Sequence, residues 1–311
     1  MSRSNLAYIR HGIWSNPDNM KHLEDALDDL LPGYEVDNQE YTKNPGAFIE
    51  GESILFNGIV LGEIILRAFA HKKREVEHIV LIGHSQGGLV CRVAAATICA
   101  PQQLTEAIQE KAQYIDKRDR EKSLTKLAFL QSDQFGSSLL LDCAEHLKAV
   151  VTLATPNAGA MTNGQLSLIT KGAKSLLRGA FEFFGQKTLD ELTTGRLFRV
   201  LQYVRVEKVR YLSISGSFFN RYSFFNHDDL QWLPKVAALA PHLEMPNDGV
   251  VEDLSVDLRE APLPCEIANL DQQYIHIRSY TDCLDIRHTN IHSRQEVFDE
   301  MKKTFKTWGL A

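Results

Sequence analysis

One stretch, HIVLIGHSQGGLVCR, His78 to Arg92, constrains the fold of this chain more than any other. The run Ile-Val-Leu-Ile reads as a strand buried on both faces, as in a parallel sheet covered by helices. It stops at Gly-His-Ser-Gln-Gly-Gly, and the apolar LVCRVAAATICA that follows reads as a helix. A Gly-x-Ser-x-Gly turn between strand and helix is the sharp, strained turn that lifts a serine hydroxyl above a sheet. Close packing there excludes side chains two residues before and after the serine. Gly83 and Gly87 meet both demands, and Gly88 gives the helix extra room against the sheet. A glycine-rich turn with an incidental serine is the bland alternative. The flanking strand and helix are the context that favours Ser85 as a nucleophile.

The rest of the chain alternates in the same manner. NLAYIRHGI reads as a buried strand, and NMKHLEDALDDLLPGYEV as a helix closed by Pro32-Gly33. YEVDNQEY is a second, more polar strand. Residues 53–70 carry helical spacing. HLKAVVTLATPNAGA and VEKVRYLSISGS are strands, CEIANLDQQYIHIRS a strand or loop, and SRQEVFDEMKKTFKTWG a closing amphipathic helix with Val297, Met301 and Phe305 on one stripe and Ser293 as its N-cap. Strands alternating with helices predict an α/β fold with a mostly parallel central sheet. The expectation is a single domain over 1–311 with two helical insertions. One is charged, at about 101–145. The other, at about 160–203, would form a cap.

Composition excludes several classes. The chain has 311 residues, 44% apolar and 24% charged, as ordinary globular domains do. A net charge of −6 gives no footprint for nucleic acid. The start, MSRSNLAYIR, has no apolar core of the signal-peptide kind, and no apolar stretch is expected to span a bilayer. The expected location is cytoplasmic. Cys91, Cys99, Cys143, Cys265 and Cys283 are odd in number and form no CxxC pair, so free core thiols are expected. No cofactor and no metal are expected.

A serine needs a base, an orienting acid and donors for the developing oxyanion. The loop YIRHGIWSNPDNM and the residue after the serine supply the donors as backbone N–H groups, at Ile13 and Gln86. His11 braces that loop, and His84 packs in the turn. EMPNDGVVEDLS follows a late strand and offers Asp248 as the acid, with Glu252 and Asp253 as alternatives. DIRHTNIHSRQEVFDEM offers His288 as the base, with His292 as the alternative, while His276 reads as a strand residue.

Together, YIRHGIWSNPDNM, VLIGHSQGGLVCR, VVTLATPNAGA and MPNDGVV resemble the lipase-like serine esterases of the α/β-hydrolase superfamily. The resemblance runs from about Tyr8 to Met301 and is strong at the motifs. It implies an α/β-hydrolase fold with Ser85 as nucleophile, Asp248 as acid, His288 as base, and Ile13 and Gln86 as oxyanion donors. Asn157 departs from it, since relatives often carry histidine after Thr-Pro. Thr289 and Asn290 stand where some secreted relatives bind calcium through aspartate, so no metal is implied.

The triad specifies acyl transfer and leaves the acyl group open. Ile169, Ala173, Leu176, Leu177, Ala180, Phe181 and Phe184 fall on one helical stripe. Either they face a core, or they form a cap whose Leu177, Phe181 and Phe184 bind acyl chains. SFFNRYSFF adds four phenylalanines that suit an acyl pocket or an aromatic core equally. The leading expectation is a serine hydrolase for hydrophobic or lipid-like esters, with peripheral membrane contact through the cap. A thioesterase or acyltransferase with the same triad, and a silent scaffold acting by binding, are the alternatives.

Overall fold

In a computed structural model, the structure describes residues 5–12, 17–38, 53–72, 75–132, 137–157, 196–204, 206, 208–216, 272–277 and 290–311. Its strands are β1 (Asn5–Arg10), β2 (Tyr34–Asp37), β3 (Ile79–His84), β4 (Leu147–Leu153), β5 (Arg210–Gly216) and β6 (Gln272–Ile277). They form one sheet in the order β2-β1-β3-β4-β5-β6, and every neighbouring pair is parallel. The helices among the described residues are α1 (Lys21–Leu30), α2 (Ile54–Lys72), α3 (Gln86–Cys99), α4 (Pro101–Glu110), α5 (Lys117–Leu130), α6 (Ser137–His146), α7 (Arg196–Leu201) and α8 (Gln295–Trp308).

Period-two alternation divides the strand side chains between two cores. Leu6, Tyr8, Ile79, Leu81, Val150 and Tyr211 face α2, α3 and the helices that follow. Ala7, Ile9, Val80, Ile82, Val151 and Leu212 face α1 and α8. The expected stripe on α8, Val297, Met301 and Phe305, is fully buried in the second core. Both faces are covered, which is why the strands read as continuous apolar runs.

Two sequence expectations are corrected. Ser293 does not cap α8: it lies in a 3₁₀ turn, Ile291–Ser293, and its hydroxyl donates to the Asn290 carbonyl. Arg294 is the N-cap and makes no side-chain capping hydrogen bond. The second concerns membranes. α2, with 19 residues, is long and apolar enough to cross a bilayer by length and composition, although no such stretch was expected. Its sequence reads ILFNGIVLGEIILRAFAHK because both sides of it pack on protein. Gly58 and Gly62 let it lie directly against Val93 and Thr97 of α3.

The strand order fixes where a ligand can bind. After β1 the chain adds β2 on one side and then β3 on the other. The winding therefore reverses between β1 and β3, and a crevice opens at their carboxyl ends.

Candidate active site

The serine of the Gly-x-Ser-x-Gly turn stands at that crevice. Ser85 follows the last residue of β3 and precedes the first of α3, with φ 52° and ψ −124°. This is backbone space that residues with a Cβ rarely enter. Two backbone bonds hold it. The Ser85 N–H donates to the Leu153 carbonyl at 2.8 Å, extending the β3–β4 ladder by one residue. The Ser85 carbonyl accepts from the Gly88 N–H at 3.1 Å, closing the first turn of α3. The next strand ends alike: Ala154 has φ 49°, and its N–H donates to the Ile214 carbonyl at 2.8 Å.

The flanking glycines are required sterically. A Cβ on Gly83 would lie 2.4 Å from the backbone of Gly87 and Gly88. One on Gly87 would lie 2.2 Å from the Arg10 carbonyl oxygen, so α3 is pressed against the end of β1. Gly88 clears Thr155, beyond β4, and not the sheet itself: a Cβ there would meet the Thr155 hydroxyl at 2.0 Å.

Gly12 is the counterpart on β1. A Cβ on it would come within 2.6 Å of the Ser85 Cβ and 3.2 Å of its Oγ. The chain at Gly12 therefore passes directly over the serine. His11 Nδ1 lies 2.9 Å from the Gly12 carbonyl oxygen, which fits the bracing role expected of it. Gln86 heads α3, where N–H groups have no intrahelical acceptor and the helix dipole presents its positive end.

The histidines divide by position. His84 is buried, and its ring packs against that of His292 with centroids 4.9 Å apart and a 50° tilt. His292, the alternative base, is thus packed on the residue before the nucleophile. His276 lies in β6, as a strand residue should. Ile13, Leu177, Phe181, Phe184, Asp248 and His288, with the alternatives Glu252 and Asp253, lie outside the described residues.

One functional feature escaped the sequence reading. Arg92, in the second turn of α3, is buried, and its Nη1 donates to the Asn157 Oδ1 at 3.0 Å. Asn157 is itself fully buried. Burial lowers the Arg92 pKa to about 10, an effect partly opposed by Tyr211. The available signal was a lone charge in LVCRVAAATICA, and the partner 65 residues away was not legible.

The family described as Putative serine esterase (DUF676) matches residues 2–232. Among curated proteins, none matches the chain. Among solved structures, the lipase BlEst2 of Bacillus licheniformis in its mature form is similar, with 14% identity, 98% of this chain and 91% of that chain covered, and a TM-score of 0.54. Its propeptide form gives 13%, 96% and 50%, and a TM-score of 0.53. These likenesses bear on the fold alone. The family match spans most of the sheet and the whole Ser85 turn, so the chain belongs to the putative serine esterase family DUF676 and is a serine hydrolase with the α/β-hydrolase fold.

Proposed function

We propose that the protein hydrolyses carboxylic esters with hydrophobic, lipid-like acyl groups through a Ser85-His288-Asp248 triad and an acyl-enzyme. The observation that carries this reading is the strained Ser85 backbone beneath the Gly12 loop. Strain at a residue that any glycine would relieve is retained where the side chain has a task. In this reading the Ser85 Oγ attacks the ester carbonyl and its proton passes to His288. Asp248 holds the imidazole in the needed tautomer and balances the imidazolium. The Gln86 and Ile13 N–H groups receive the oxyanion. Collapse expels the alcohol, which takes the proton from His288. Water then repeats the sequence on the acyl-enzyme and releases the acid.

The acyl preference rests on the Ile169–Phe184 stripe, with Leu177, Phe181 and Phe184 as its binding face. Each CH₂ removed from water there would contribute about 0.8 kcal/mol. Two measurements test the proposal. A fluorophosphonate probe should label the wild-type protein and leave Ser85→Ala unlabelled. A panel of p-nitrophenyl esters should show kcat/KM rising with chain length, with polar substitutions at Leu177 and Phe181 abolishing the rise while acetate ester hydrolysis persists. A labelled Ser85→Ala would refute the nucleophile. A uniform loss across chain lengths, with a lower Tm, would refute the acyl site.

A further inference from the structure

Arg92 is the one charged residue of α3, and its guanidinium is buried with a neutral partner. Its Nη1 bonds the Asn157 amide oxygen at 3.0 Å. Among the described residues no carboxylate forms an ion pair with it. Arg10 provides the contrast: it is equally buried, but its Nη1 meets the Asp37 carboxylate at 2.9 Å. The Arg10 charge is balanced, and the Arg92 charge has no carboxylate counter-charge among the described residues. A buried charge without a counter-charge is costly, and an apolar side chain of similar length would fill the same volume without that cost. The residue is also still protonated at neutral pH, since burial lowers its pKa only to about 10.

Its placement gives the charge a use. Side chains on a helix lean toward the helix N-terminus. The Arg92 guanidinium reaches Asn157, which follows the end of β4, and the Ser85 N–H bonds the last carbonyl of that strand. The charge is therefore displaced up the helix, toward the nucleophile. The axial rise from Gln86 to Arg92 is about 9 Å, which sets the scale of the separation between the charge and the oxyanion donor at about 10 Å. Buried residues of α3 lie between them, where salt and water screen little.

We propose that Arg92 acts as a remote electrostatic contributor to the oxyanion hole, its buried charge stabilising the negative charge that develops on the substrate carbonyl oxygen beside the Gln86 N–H. The proposal rests on the Ser85 mechanism above. Arg92 touches no substrate in it and acts through its field, in the same direction as the dipole of α3. Only charge that appears in the transition state is favoured, so the effect belongs in kcat and not in KM. At this distance and an effective dielectric near 20, the interaction is worth about tenfold in rate.

Two variants of the full chain separate charge from hydrogen bonding. Arg92→Lys keeps the charge. Arg92→Gln removes it, while its amide N–H₂ can still donate to Asn157. The expected result is that Arg92→Gln loses about tenfold in kcat and in fluorophosphonate labelling rate at unchanged KM, whereas Arg92→Lys keeps most of both. Arg92→Met serves as a second neutral variant if Arg92→Gln folds poorly, with thermal melts as the control. Equal activity in Arg92→Gln and wild type would overturn the proposal, as would a loss in Arg92→Lys matching that in Arg92→Gln. The parent mechanism fails separately, by labelling of Ser85→Ala.

Discussion

At the scale of the residue, Ser85 sets function against stability. Its backbone angles cost about 1–3 kcal/mol for a residue with a Cβ. Glycine would remove that strain, at an entropic cost of about 0.5–1 kcal/mol in the unfolded chain. The strain relief is the larger quantity. Ser85→Gly should therefore be more stable than Ser85→Ala by about 1 kcal/mol, although both are inactive. Denaturant unfolding of the two variants measures the difference, and equal midpoints would mean that the turn carries no strain. The histidines offer a second contrast. His288→Ala should lose nearly as much activity as Ser85→Ala, because nucleophile and base act as a unit. His292→Ala should lose less and unfold more readily, since its ring packs on His84 beside the nucleophile. An inactive His292→Ala beside an active His288→Ala would exchange their roles.

At the scale of the element, the α2–α3 pair explains both a correction and a weakness. Gly58 and Gly62 bring the two helices into backbone contact, which is why α2 can be as apolar as a membrane span and still lie in a core. One residue in it does not fit. Asn57 is buried, and neither atom of its amide has a hydrogen-bond partner among the described residues. An unsatisfied buried amide costs about 1–3 kcal/mol, and an apolar residue of similar size does not incur that cost. Asn57→Leu should raise the Tm, with a gain of about 1 kcal/mol, and leave ester hydrolysis unchanged. A lower Tm would indicate that the amide is satisfied by bound water. Legibility in the sequence also divides at this scale. The β3–turn–α3 unit could be read because it is one contiguous stretch, Ile79 to Cys99, and Gly83 reports a contact within the turn itself, whereas the partners of Gly87 and Gly88, Arg10 and Thr155, lie far away in sequence and were not legible. The α8 cap could not, since Ser293 next to a helix start is a cap signal that the preceding 3₁₀ turn overrides. β6 stayed ambiguous because its partner among the described strands, β5, lies about sixty residues earlier. The Arg92–Asn157 bond was hidden for the same reason: sequence shows the lone charge, and only the fold shows what it faces.

At the scale of the whole molecule, the question is what ties the helices between β3 and β4 to the rest of the fold. Glu63 of α2 provides one tie. Its carboxylate accepts from Arg67 of its own helix, at 2.7 Å, and from Lys126 of α5, at 2.8 Å. Burial alone would raise its pKa, and it is the largest single influence, but the hydrogen bonds and charges of Lys126 and Arg67 together outweigh it and hold the pKa below the ordinary 4.5. The sign of the linkage follows. A carboxyl more acidic in the folded than in the unfolded state binds fewer protons when folded, so stability rises with pH through this range. Its contribution is complete above pH 4.5 and is lost as the pH falls through the lower folded value. Glu63→Gln should thus lower the Tm at pH 7, and its melting curve should converge on that of wild type as the pH falls from 4.5 through the lower folded value. Among the described residues the Glu63 carboxylate bonds Arg67 and Lys126 and nothing in the Ser85 turn, so ester hydrolysis at pH 7 should persist in this variant. A Tm difference that is independent of pH would assign the loss to packing at Glu63 and not to its charge.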